Sequence, residues 1–313
     1  MRPGDWTKNL FVLPAFVFSM PAALAENADI AGRAVHTAVA FAAFCLMASG
    51  WYALNDVKDA ARDRLHPVKR KRPVASGEIA PTAAMLTAVV LWSISIALAL
   101  TVNRLLVAIL LAYALLQFSY NIGIKRIKLI DVVAVATGFA LRAGAGAVAI
   151  NVQLSIWLAL CVFFLCLYLG FIKRLCDLTS AQKAGRTEWT SPAGYDDRLE
   201  LNWLLGISAV LAVVTYLMYA TSAHAWSLFG SRSIGLALLS PLVLICVHRF
   251  YQQASTGESD SPLVALRGDR IVLVTVVLFA AGGGATLYVP GVQSVLERIF
   301  IVADGSLRAG AEP

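Results

Sequence analysis

Four oxygen-bearing side chains stand at N-D-x-x-D-x-x-x-D spacing within Trp51-Tyr52-Ala53-Leu54-Asn55-Asp56-Val57-Lys58-Asp59-Ala60-Ala61-Arg62-Asp63. On a helix, about 100° per residue puts Asn55, Asp59, Asp63 and Asp56 at about 0, 40, 80 and 100°, one quadrant of the surface. Tyr52 lies on the same arc one turn earlier. Like charges so placed repel one another, so the cluster needs a cation. The set offers hard oxygens and no His or Cys, which points to Mg2+ rather than Zn2+. Mg2+ usually completes its shell with water and substrate phosphates, so a phosphate-bearing substrate is the expected ligand. The candidate metal ligands are Asn55, Asp59 and Asp63, and Asp56 joins them as a candidate catalytic residue. The plainer reading is a solvated helix end balanced by Lys58, Arg62 and Arg64. It is weakened because acidic groups at a helix C-terminus oppose the helix dipole.

A basic run follows: Arg64-Leu65-His66-Pro67-Val68-Lys69-Arg70-Lys71-Arg72-Pro73-Val74-Ala75-Ser76-Gly77. Pro67 and Pro73 are expected to end helices and Gly77 to allow a tight turn, giving a shaped loop. Four consecutive cations could enforce membrane topology or touch anionic lipid. Beside a metal–diphosphate site the same cations can neutralise phosphate oxygens.

Composition indicates the elements that must hold these groups. Of 313 residues, 59% are apolar and 14% charged, and the mean hydropathy is +0.72. Soluble domains run nearer ~25% charged, which excludes an ordinary soluble all-α protein. Uninterrupted apolar runs of about twenty residues, the length that spans a ~30 Å hydrocarbon core, place helices rather than a β-barrel in the membrane. Nine spans are expected near 10–25, 34–54, 81–101, 104–121, 129–150, 155–172, 201–221, 233–253 and 271–290. They form one transmembrane bundle domain over residues 1–290. A tail over 291–313 follows, with an amphipathic stretch from Gln293 to Val302. Cys45, Cys161, Cys166, Cys176 and Cys246 have no metal-ligand spacing and read as packing residues. The N-terminus resembles a signal peptide ending at Ala23-Leu24-Ala25, but Trp6-Thr7-Lys8-Asn9 is oddly specific for a discarded leader.

Of 26 Lys and Arg, 20 lie before the first span, in the loops after spans two, four, six and eight, or, for Arg249, near the loop end of span eight. The positive-inside rule makes those segments cytoplasmic and the C-terminus external, which an odd number of spans satisfies. The expected site therefore faces the cytoplasm from an inner (cytoplasmic) membrane. The net charge of +7 needs no nucleic acid to explain it.

Asn55 to Asp63, followed by His66-Pro67, Lys69, Arg72-Pro73 and Gly77, resembles the first signature of the UbiA superfamily of intramembrane prenyltransferases. The resemblance implies nine helices around a polar cavity open to the cytoplasm, with acidic motifs that hold Mg2+, or Mn2+ in its place, and a substrate diphosphate. Those enzymes normally carry a second motif, D-x-x-x-D, after span six. This chain has Gly170-Phe171-Ile172-Lys173-Arg174-Leu175-Cys176-Asp177-Leu178 there, with Asp177 the lone acid and Lys173 four residues before it. On a helix Lys173, Asp177 and Arg174 fall at about 0, 40 and 100°, a mixed basic surface that suits phosphate better than a second Mg2+.

This departure resembles one branch of the superfamily, the decaprenyl-phosphate phosphoribosyltransferases. That branch moves 5-phosphoribose from phosphoribosyl pyrophosphate to a polyprenyl phosphate, a step towards cell-envelope arabinose donors. Arg2-Pro3 with Trp6-Thr7-Lys8-Asn9, Tyr120 with Lys125, Leu141-Arg142-Ala143 with Gly146, and Leu266-Arg267 with Asp269-Arg270 also match. Two features depart from it: the branch prefers Glu at Asp177, and the last match needs Gly268 as an insertion. The resemblance makes Lys173 and Asp177 candidate catalytic residues. Candidate substrate-binding residues are Lys8, Tyr52, His66, Lys69, Arg70, Arg72, Tyr120, Lys125, Arg142, Arg174 and Tyr195. The acceptor phosphate in such a reaction is already an anionic nucleophile and needs little general-base help.

Arg142 lies mid-span, where a charge is costly unless it faces a polar cavity or is paired. A cavity-lining role is the favoured reading over a structural ion pair, and Gly144 and Gly146 would let a neighbouring helix approach closely. Lys8 and Lys125 at helix ends could simply snorkel to the surface. Tyr195-Asp196-Asp197-Arg198 reads as a helix start. A transporter would place its sites near the midplane within inverted repeats, whereas the clusters here share one mouth, which favours an enzyme. An aromatic prenyltransferase stays the alternative activity, and the oligomeric state is left open.

Overall fold

The computed structural model describes residues 3–25, 27–65, 69–185, 191, 193–257 and 268–300. These residues form helices and turns without a strand, and nine helical segments among them are long and apolar enough to cross a membrane. They fall where the nine apolar runs placed them. Contacts cluster the chain into two compact units, Met1–Met20 with Ala28–Leu154, and Pro21–Asn27 with Ser155–Pro313.

In the first unit, a 3-10 stretch, Pro3–Val12, precedes helix α1 (Pro14–Ala25), whose residues from Pro21 on belong to the second unit. Helix α2 (Ile30–Arg64) has 35 residues, roughly 52 Å at 1.5 Å each. It outruns a ~30 Å hydrocarbon core, so Asn55 to Asp63 lie on an unbroken helix beyond its apolar stretch. A 3-10 turn, Lys69–Lys71, leads into the short helix α3 (Pro73–Ser76). Pro73 therefore begins a helix instead of ending one, because the first helical position needs no N–H and suits the fixed φ of proline. Gly77, at φ +87°, closes that helix in the left-handed region as the turn requires.

Helix α4 (Pro81–Val102) packs along α2. Ser95 Oγ donates to the Ala43 carbonyl at 2.7 Å, and a side chain at Gly50 would run into the Trp92 ring. Asn103 then caps helix α5 (Arg104–Ile122), accepting from Leu106 N at 2.8 Å. Its amide also donates to Val148 O at 2.9 Å, tying in helix α6 (Ile130–Ala149). Val12, Phe44, Met47, Leu106, Leu110 and Tyr113 are buried between these elements.

In the second unit, helix α7 (Ile156–Lys183) packs on α8 (Arg198–Ala220) and on α11 (Ser240–Thr256). The connection after α8 carries the short helix α9 (Ala223–Phe229). The eighth span is broken into α10 (Arg232–Leu238) and α11, with Pro241 in the first turn of α11. Proline removes a backbone donor and crowds the preceding turn, so the helix restarts there. Helix α12 (Arg270–Tyr288) is followed by α13 (Pro290–Phe300), which covers most of the stretch read as amphipathic. The five cysteines are free.

Candidate active site

The acidic face of α2 resolves into two pairings. Arg72 Nη1 donates to Asp63 Oδ2 at 2.5 Å and lies 3.5 Å from Asp56 Oδ1. Arg72 reaches both because its extended backbone delivers the chain into Pro73. Asp63 is almost fully buried and Arg72 is 27% exposed, so this pair is shielded from water. Asp59 instead meets Arg62 at 3.0 Å, where the guanidinium is 73% exposed. Asn55 is half-buried, and Lys58 crosses to α5, donating to the Asn121 carbonyl at 2.6 Å. Mutually repelling carboxylates have thus divided between two guanidinium groups.

Among the described residues no three His, Cys, Asp or Glu side chains stand grouped around one point as a metal site. The donor set nevertheless suits a hard divalent ion. Asp56 and Asp63 converge on a single positive nitrogen, so this helix end already shares one cation between two carboxylates. Mg2+ is typically held by one or two carboxylates plus substrate phosphates rather than by a complete protein cage. Asp59 is one helical turn from Asp63 and its partner Arg62 is solvent-exposed, leaving it the easiest of the three to recruit.

A cavity of about 470 Å³ opens beside this cluster, within the range of small-molecule sites. Tyr52 and Asp56 line it together with Lys69, Lys71 and Arg72 from the connection, and Ser49 and Thr87 add hydroxyl groups. Tyr52, Asp56, Lys69 and Arg72 were all expected from the sequence. Lys71, Ser49 and Thr87 were not singled out, because four consecutive cations look alike in sequence and hydroxyls on apolar helices usually bond their own backbone. Arg70 is exposed, and His66 lies outside the described residues, as do Leu266 and Arg267.

Arg142 is buried, and among the described residues it neither forms an ion pair nor lines this cavity. Its Nε donates to Asn9 Oδ1 at 2.7 Å, Nη1 to the Gly138 carbonyl at 2.8 Å, and Nη2 to the Tyr113 hydroxyl at 2.9 Å. The guanidinium also sits 4.7 Å from the Tyr113 ring centre and 5.2 Å from that of Phe139, a cation–π arrangement that steadies an arginine out of water. A Cβ on Gly146 would collide with the Val12 carbonyl oxygen. The close approach expected there is real, but it is made by the 3-10 stretch Pro3–Val12. Lys8 Nζ lies 6.0 Å from the Tyr52 ring centre, and Trp6 Nε1 donates to Ser49 Oγ at 3.3 Å. Tyr120 is half-buried near the end of α5, and Lys125 is half-buried in the 3-10 turn Ile124–Arg126.

The other candidates belong to the second unit. Lys173, Arg174 and Asp177 lie on α7, as the helical reading required, with Arg174 Nη1 4.0 Å from Asp177 Oδ2. Tyr195 is buried, its ring edge-on to Phe171 with centres 6.3 Å apart. Asp197 begins α8 as its cap, accepting from Leu199 N at 2.8 Å. Asp269 receives Arg249 Nη2 at 2.6 Å and Gln253 Nε2 at 2.8 Å, and it caps α12 through Ile271 N. Burial pushes its carboxyl up, but those hydrogen bonds outweigh it and hold the group at about 2.

The model of the UbiA prenyltransferase family matches residues 11–268. Decaprenyl-phosphate phosphoribosyltransferase of Mycolicibacterium smegmatis is 30% identical over 293 residues, 92% of this chain and 91% of that one. The protein of the same name from Corynebacterium glutamicum is 31% identical over 285 residues, 88% of this chain and 81% of that one. Among solved structures, a UbiA homologue from Archaeoglobus fulgidus bound to DMAPP and Mg2+ aligns with a TM-score of 0.63 at 20% identity. It covers 91% of this chain and 96% of its own, a likeness of fold. This chain is an integral multi-pass membrane protein and belongs to the UbiA prenyltransferase family of enzymes.

Proposed function

We propose that this enzyme transfers the 5-phosphoribosyl group of phosphoribosyl pyrophosphate to a polyprenyl phosphate such as decaprenyl phosphate. A phosphate oxygen of the acceptor bonds to the anomeric carbon of ribose as the bond from that carbon to the diphosphate breaks, and diphosphate leaves. The carrying observation is the segment after span six, where Lys173 and Arg174 stand with the single acid Asp177. A second cation clamp is poorly supplied there, whereas an extra phosphate group is well supplied. The named relatives, about 30% identical over most of the chain, support the same reading.

Asn55, Asp59 and Asp63 would hold Mg2+, with Asp56 beside them. When bound, the ion supplies positive charge against the diphosphate leaving group. Lys8, Lys69 and Arg72 neutralise phosphate oxygens, and Tyr52 orients the donor above the acidic turn. Lys173 and Arg174 take a further phosphate, either the 5-phosphate of the donor or that of the lipid acceptor. Because the acceptor oxygen is already anionic, these residues act mainly by positioning and by neutralising charge. Residues 1–290 act as one catalytic domain in the inner membrane with the site towards the cytoplasm, in keeping with the positive-inside distribution.

Prenyl transfer to an aromatic acceptor is the second reading, favoured by the family itself and by the DMAPP-bound neighbour. It would require Asp177 to meet another carboxylate, and Arg174 Nη1 stands 4.0 Å from it. Metal dependence is tested with Asp59→Asn. Its partner is exposed, so thermal stability should hold while Mg2+-dependent turnover is lost; unchanged turnover in EDTA or in the variant would overturn the ligand set.

A further inference from the structure

We infer that Arg142 is a positioning residue that never touches substrate: it fastens the N-terminal 3-10 stretch so that Trp6 and Lys8 stand against Ser49 and Tyr52, two residues that line the cavity beside the acidic motif. The linkage is continuous. Arg142 holds the buried Asn9 through Nε at 2.7 Å, and Asn9 Nδ2 in turn donates to Cys45 Sγ on α2 at 3.1 Å. Gly138 O and the Tyr113 hydroxyl fix the other two guanidinium nitrogens, and Gln117 Nε2 donates to the same hydroxyl at 2.8 Å. Every nitrogen of the guanidinium is thus committed to a neutral protein oxygen, leaving it poorly disposed to turn towards a phosphate. Gly146 lets the stretch sit directly on α6.

What this anchoring holds in place lies one to three residues earlier. Trp6 bonds Ser49, and Lys8 lies over Tyr52; Ser49 and Tyr52 both line the cavity. The buried guanidinium of α6 therefore sets where a cation of the N-terminal stretch meets the phosphate-binding end. A lysine at 142 would keep the positive charge but could not reach Asn9, Gly138 and Tyr113 together from one ammonium. This sets a geometric role apart from a charge role.

Hydrogen exchange by mass spectrometry and steady-state kinetics on the full chain in nanodiscs test this together. Arg142→Lys and Asn9→Ala should each speed exchange across Trp6–Val12 by about tenfold or more, with α4 unaffected. Each should raise the KM for phosphoribosyl pyrophosphate about as much as Lys8→Ala does, with kcat little changed. The double variant Arg142→Lys with Lys8→Ala should be no worse than Lys8→Ala alone. Exchange left unchanged while activity falls, or additive losses in the double variant, would overturn the inference and put Arg142 on the substrate. Should Arg142→Lys fail to fold, Asn9→Ala makes the same test with the arginine in place. The kinetic arm rests on the phosphoribosyl-transfer reading. If the wild type makes no product from that donor, the reading fails, and the exchange arm still decides the anchoring.

Discussion

Arg72 supplies the cation that the acidic end of α2 shares, and its removal exposes what the cluster costs. In Arg72→Ala, Asp63 loses a 2.5 Å partner while its own side chain is 2% exposed, and Asp56 loses a contact at 3.5 Å. A charge-assisted hydrogen bond is worth about 1.5–3 kcal/mol, and stripping one partner from a fully buried pair costs about 3–5 kcal/mol. Because Arg72 is 27% exposed, the loss should fall near the lower figures, about 2–3 kcal/mol. In thermal unfolding that amounts to roughly 4–12 °C, at about 2–4 °C per kcal/mol for chains somewhat shorter than this one. Mg2+ should restore much of it, because a ligand at a hundred times its dissociation constant adds about 2.7 kcal/mol. The assay is the unfolding midpoint of purified wild type and variant in EDTA and in saturating Mg2+. The variant should lose stability in EDTA and gain more than the wild type on adding the ion. A midpoint indifferent to the substitution, or equal Mg2+ gains in both proteins, would refute a shared-cation site at Asp56 and Asp63.

Gly146→Ala should destabilise by about 1–3 kcal/mol, since the added methyl meets a backbone carbonyl that cannot yield cheaply. Gly144→Ala, whose Cβ would meet only the Leu154 side chain at 3.8 Å, should be nearly neutral, and thermal midpoints compare the two. Asp269 titrates at about 2 in the folded protein against an ordinary 3.8. Its contribution is therefore complete above the ordinary value and lost as pH falls towards 2, so the stability curves of wild type and Asp269→Asn should converge at the acid end. Lys173→Ala should weaken use of the phosphorylated donor or acceptor by roughly 1.5–3 kcal/mol in kcat/KM. Lys173→Asp should be worse, because it sets a carboxylate against phosphate.

The spans were legible because a helix crossing hydrocarbon has almost no freedom in composition, and the acidic face because helical rotation converts spacing directly into direction. The broken eighth span was missed although Pro241 signalled it, since hydropathy alone runs smoothly across Leu239 and Pro241. The division of carboxylates between Arg62 and Arg72 was not legible: it depends on which of several adjacent cations the turn before Pro73 aims inward. Arg142 was recognisable as a costly buried charge, but its partners were not. Asn9 lies 133 residues away and Tyr113 lies 29 residues away, and no local pattern links them.

Donor choice is the central claim, and paired incubations test it directly. Purified enzyme with Mg2+ receives labelled phosphoribosyl pyrophosphate and decaprenyl phosphate in one tube, and a prenyl diphosphate with an aromatic acid in the other. The basic surface at Lys173 and Arg174 predicts a labelled lipid in the first tube and no prenylated acid in the second. Product in the second tube alone would keep the family and contradict the reaction.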